Sequence, residues 1–246
     1  MEIVTLEKLR YEVYEQLQIK SDDSEVSSRY VDRLIHQKRS TFVHNYLSGL
    51  RGPIPSKLIQ QIPCIEMEVT TSATCCSPMY AEGCKVVIKS KKPVPQFISY
   101  GDGQAITSIT ANDFMYLPHN KNVRIDSLPF IGNGRFNKNQ LYFFILDGYL
   151  YGVSRDETIG LIEIVTMTGV LENPSNAGDY ICGGQPCWTS SDSQYPLEDW
   201  MWDLIKKVIY QEISTKQSTP TDTLKDNKDQ ANQQPVEIPR GGQGGS

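Results

Sequence analysis

Six cysteines are the residues whose type and spacing most readily suggest chemistry: Cys64, Cys75, Cys76, Cys84, Cys182 and Cys187. The first four fall between positions 64 and 84, and Cys182-x4-Cys187 adds a pair. Structural zinc takes four thiolate or imidazole ligands in a tetrahedron, usually from short Cys-x2–4-Cys pairs. No Cys-x2-Cys is present, and the adjacent Cys75 and Cys76 do not readily reach one ion. Unpaired thiols are therefore the expected state, with zinc as the alternative. Disulfides are not expected, because nothing at the start of the sequence resembles an export signal.

The histidines offer little more. His36 and His44 lie on one predicted helix, about two turns apart, and His119 stands alone. There is no His-Glu-x-x-His and no Gly-x-Ser-x-Gly elbow. Gly101-Asp-Gly103, Gly132-Asn-Gly134 and Gly183-Gly184 lack the strand, glycine-rich turn and helix that a phosphate loop needs, and read as turns. The sequence thus assigns no catalytic residue, cofactor or metal site, and a non-enzymatic protein is expected.

Contact chemistry is better represented. The run Lys89, Lys91 and Lys92 reads as a solvated basic turn, with DNA contact as the alternative. Tyr142, Phe143, Phe144, Tyr149 and Tyr151 cluster in a predicted hairpin, whose alternation assigns about half of them to a core. Trp200 and Trp202 are two apart, so they cannot share a helical face. One is expected in the core and Trp202 is taken as an interface anchor, where tryptophan is enriched. Arg29, Arg33 and Lys38 on the polar side of a helix, with Trp202 and Arg240, make up the expected interface set.

These side chains need elements to hold them. Thr5 can cap a first helix, in which Leu6, Leu9, Val13 and Leu17 recur on one face. Ser21-Asp-Asp-Ser24 breaks it and supplies caps for a second helix from about Ser27, with Val31, Leu34, Ile35, Phe42, Val43, Tyr46 and Leu47 on one broad face. Gly49, Gly52, Pro53 and Pro55 end that helix. Strands are predicted at 62–69 and 85–91. A hairpin follows at 140–153 around Asp147-Gly148, which suits a type I′ turn, and a β-rich run at 159–170. Four to six mostly antiparallel strands are expected. Leu197, Trp200, Met201, Leu204, Ile205, Val208 and Ile209 mark a last helix, which burial against the first two would stabilise.

The fold class is therefore α+β. Residues 1–58 and 181–213 are expected to form a helical domain, 59–180 an inserted β domain, and 214–246 an extended low-complexity tail with too little apolar content to order itself. A net charge of −5 disfavours wrapping nucleic acid, although it suits a wall that DNA slides past. No stretch approaches the roughly 18 apolar residues of a membrane span. Assembly in a cytoplasm is expected.

Five segments resemble, in order, one family of structural proteins of crAss-like and related short-tailed phages: head-to-tail connector, adaptor or ring proteins. They are Ser21-Asp-Asp-Ser24 with Ser28-Arg-Tyr-Val-Asp-Arg-Leu-Ile-His-Gln-Lys-Arg39; Cys64-Ile-Glu-Met-Glu68; Lys91-Lys-Pro-Val-Pro95; Thr166-Met-Thr-Gly-Val-Leu-Glu-Asn-Pro174; and Tyr195-Pro-Leu197 leading into Leu204-Ile205. They span most of residues 6–210, and each alone is a weak motif. The resemblance implies a virion protein forming a ring in the phage neck. That ring would be twelvefold, bound to portal and tail proteins, with passive contact to packaged DNA and no membrane or catalytic role. Two other readings stand beside it: a tail or receptor-binding module, and a small zinc-binding protein of the infected cell.

Overall fold

Thr5 and Ser27 set where the chain turns helical. Each is extended, and each side-chain oxygen accepts from an amide three residues on, Lys8 and Tyr30 respectively. The cap of the second helix is thus Ser27; the Ser21–Ser24 run lies outside the described residues. The computed structural model describes residues 4–17, 26–70, 86–101, 103–111, 121–122, 141–154 and 157–218. Cys75, Cys76, Cys84, His119, Gly132-Asn-Gly134, Arg240 and residues 219–246 of the low-complexity tail fall outside them, while residues 214–218, expected in that tail, belong to the last helix. The chain separates into two compact units, Met1–Ile209 and Tyr210–Ser246.

Along the chain, helices precede and follow a mostly antiparallel sheet: α1 (Leu6–Gln16), α2 (Ser28–Gly49) and α3 (Asp199–Ser218). On α1, Leu6, Leu9 and Val13 are buried, and Arg10 reaches Asp32 of α2 at 3.0 Å. The first part of α3 buries Met201, Trp202, Ile205 and Ile209. Trp202 Nε1 donates to Glu12 of α1 at 2.7 Å, and Lys206 pairs with the same carboxylate at 3.4 Å. In the second unit, α3 continues to Ser218, with Thr215 Oγ1 donating to the Gln211 carbonyl at 2.7 Å.

The strands are β1 (Gln60–Thr70), β2 (Val86–Ser90), β3 (Ser99–Tyr100), β4 (Gly103–Gln104), β5 (Ile106–Ala111), β6 (Lys121–Asn122), β7 (Tyr142–Leu146), β8 (Tyr149–Ser154), β9 (Ile164–Gly169), β10 (Ile181–Cys182) and β11 (Gln185–Pro186). Among the described residues they make a seven-stranded sheet, ordered β5-β9-β1-β2-β8-β7-β6, and the small ribbons β3-β4 and β10-β11. The sheet exceeds the four to six strands expected. β5 carries Thr107, Ser108 and Thr110 among its apolar residues, and β6 is a two-residue parallel pairing on β7; neither has the apolar run that marks a strand. The run 159–170 begins as a 3₁₀ segment through Leu161, so β9 starts only at Ile164.

Pro63 lies inside β1, a central strand, where its missing N–H would break the ladder. The pairing with β9 shifts register between Ile62 and Ile65, and the bulge absorbs both Pro63 and Cys64, whose φ is 62°. The bulge brings Cys64 to β10, where it is disulfide-bonded to Cys182 with Cα atoms 5.6 Å apart, inside the normal range. This corrects the expectation of unpaired thiols for that pair. Cys187 is free, and burial raises its pKa.

At the β7–β8 hairpin Asp147 and Gly148 both have positive φ, 51° and 79°, as a type I′ turn requires. Tyr142, Phe143, Phe144 and Tyr151 are all buried and Tyr149 is partly so. More of the cluster is core than alternation suggested, because the paired strands are covered on both faces.

Candidate functional site

The segments that carry the resemblance meet in space, and they meet at polar contacts. Arg39 of α2 is fully buried. Its Nε donates to the Pro196 carbonyl at 2.8 Å, and its Nη1 to the carbonyls of Leu171 at 2.7 Å and Glu172 at 3.4 Å. One guanidinium thereby fastens α2 to the chain after β9 and to the Tyr195-Pro-Leu197 segment before α3. A buried charge is costly unless hydrogen-bonded. Here burial lowers the Arg39 pKa to about 10, which leaves it charged at neutral pH.

His36, one turn earlier, extends the junction. Its Nδ1 lies 2.9 Å from the Tyr195 hydroxyl and its Nε2 lies 3.0 Å from Ser175 Oγ. Burial, and then the Arg39 charge, lower its pKa to about 4, so the ring is neutral at pH 7. Tyr195, itself buried, has its ionisation pushed well up by burial. The remaining two segments pair with each other: Lys91 N donates to the Glu66 carbonyl at 2.9 Å, and the Lys91 ammonium meets the Glu66 carboxylate at 3.0 Å. Lys89 sits over the Tyr149 ring at 3.9 Å. Two members of the basic turn thus have intrachain partners.

Sequence patterning passed over Arg39, although the signal was there. It stands four residues after Ile35 and four before Val43, on the apolar stripe itself. A charged residue at such a position is either a packing error or a buried clamp.

The predicted interface residues separate. Arg29 and Arg33 are exposed on α2 and line an open groove of about 840 Å³ with Asp32, Glu172, Asp179 and Trp188. Burial raises the pKa of Asp32, against the lowering effect of Arg10. Lys38 is half-buried on the same helix, away from that groove. Trp202 is the buried indole of its pair at 8% exposure, held by Glu12, whereas Trp200 is 51% exposed and meets Tyr46 edge-on at 5.5 Å. The exposed position two residues from the expected anchor is therefore Trp200. No cluster of three or more metal-ligating side chains occurs among the described residues.

The site as a whole is a set of clamps that stiffen the body, with charged and aromatic side chains left outward on the helices. Over residues 8–233 the chain matches the profile of the family described as phage tail ring protein 2. It is 25% identical over 232 residues to Ring protein 2 of Bacteroides phage crAss001, with 92% of this chain and 97% of that protein covered.

Proposed function

The chain belongs to the phage tail ring protein 2 family, and from that premise we propose that copies of it close a ring in the head-to-tail connector of a tailed phage. The ring docks on the portal on one side and on tail proteins on the other, and it surrounds the channel through which the genome passes. Twelve copies would match the portal. The observation that carries the reading is the family match, because it extends across nearly every described element rather than one motif. The physical features support it: a body stiffened by buried clamps, two outward-facing helical surfaces, and a net negative charge that gives DNA few attractive groups to stall on. In this reading residues 1–58 and 181–213 form the ring body, and the β insertion, residues 59–180, is carried on it.

Quantitative mass spectrometry of purified virions tests this by copy number against the major capsid protein. The expected result is about a dozen copies, the order set by cyclic packing around a single axis. Hundreds of copies would make it a head component, and absence from virions would remove the reading.

A further inference from the structure

α1 turns three side chains outward at a constant spacing of four: Glu7, Tyr11 and Glu15, all exposed, with Tyr11 at 70%. Each step of four residues advances about 6 Å along the helix. Among the described residues the Glu7 carboxylate has only a long contact to Arg10, at 3.9 Å, and the Glu15 carboxylate has no ion pair or hydrogen bond. α2 turns outward Arg29 and Arg33, also four apart, and neither has an ion pair or hydrogen bond among the described residues. The helices are already joined through other side chains, Arg10 to Asp32. Among the described residues, then, the two stripes are left largely without side-chain partners in one molecule.

Their chemistry and pitch match. α1 offers a carboxylate, a phenol ring and a carboxylate, and α2 offers two guanidinium groups set at the same interval of four residues. Arginine forms forked hydrogen bonds with carboxylates and lies flat on aromatic rings, so at this spacing one guanidinium takes a Glu while its neighbour lies on Tyr11. Arg29 and Arg33 also line one side of the open groove, which leaves room for an incoming aromatic side chain. Every copy carries both stripes on different helices, so a second copy of this chain is a complementary partner, and such a contact is of the head-to-tail kind that closes rings.

We propose that the Glu7–Tyr11–Glu15 stripe of one copy docks on Arg29 and Arg33 of the next, forming the lateral contact of the ring. This rests on the ring reading above and names the surfaces that would carry it.

Sedimentation velocity on the full-length protein tests it with reversed charges. One variant carries Glu7→Arg and Glu15→Arg, a second carries Arg29→Glu and Arg33→Glu, and a third carries all four changes. All the positions are exposed, and circular dichroism checks that each variant is folded. The wild type is expected to associate, and less so as salt rises from about 0.05 to about 0.5 M. Each two-site variant alone is expected to associate at least about tenfold more weakly. An equimolar mixture of the two should recover association, because each reversed stripe then meets its reversed partner, and the four-site variant should recover it alone. Folded two-site variants that assemble like wild type would overturn the proposal. So would folded variants whose association neither mixing nor the four-site change restores, or a wild type that stays monomeric at every concentration. None of these results touches the ring reading itself, which virion copy number tests separately.

Discussion

Arg39 and His36 show a helix using polar side chains for cohesion where its neighbours use apolar ones. Arg39 spans α2, the segment after β9 and the segment before α3, and His36 bridges Tyr195 and Ser175. The folded pKa of His36, about 4, lies below the ordinary 6.5. A base held neutral in this way contributes stability that is fully present above about pH 6.5 and is lost as the pH falls towards 4. The whole shift is worth about 3 kcal/mol. Thermal melts from pH 7 to pH 4.5 should therefore show a falling Tm, and His36→Gln, which cannot take up the proton, should flatten that part of the profile. An unchanged slope in the variant would place the acid sensitivity elsewhere. At this scale the sequence was partly legible. Helical spacing put Arg29 and Arg33 on the outside, but it could not show that Arg39 would be hydrogen-bonded by carbonyls distant in sequence.

Elements in this chain are fixed by backbone requirements as much as by apolar pattern. Gly169 sits at the end of β9, between Gln60 of β1 and Ile106 of β5. A Cβ there would run into the Ala105 carbonyl oxygen and come within 2.8 Å of the Phe97 ring. Gly169→Ala should cost about 2–3 kcal/mol in a denaturant melt, as overpacking against backbone does. Gly52→Ala, with nothing within 4 Å of its Cβ, should be close to neutral. Equal melts for the two would mean that β5 and β9 part easily. The helices, β1, β2 and the β7–β8 hairpin were legible because each announces itself locally, by a cap, a stripe or an Asp-Gly turn. β5 and β6 were not, since their pairing is supplied by β9 and β7. The disulfide was hidden for the same reason: Cys64 and Cys182 are 118 residues apart and are brought together by a bulge around Pro63. Burial of Trp202 in place of Trp200 likewise depended on where Glu12 lies.

For the whole molecule, the buried contacts supply stiffness, and the proposed reading gives recognition to the outward side chains. Buried polar contacts lock the helices to the sheet, and the outward stripes of α1 and α2 carry opposite charge on one chain. A subunit of that kind suits a closed ring better than a site that turns over a small molecule, and its net charge of −5 suits a channel wall that lets DNA pass. Cross-linking mass spectrometry of intact virions tests placement in the neck most directly. Cross-links from this chain to other copies of itself and to the portal protein are the predicted result. Cross-links confined to the major capsid protein or to receptor-binding fibres would contradict it.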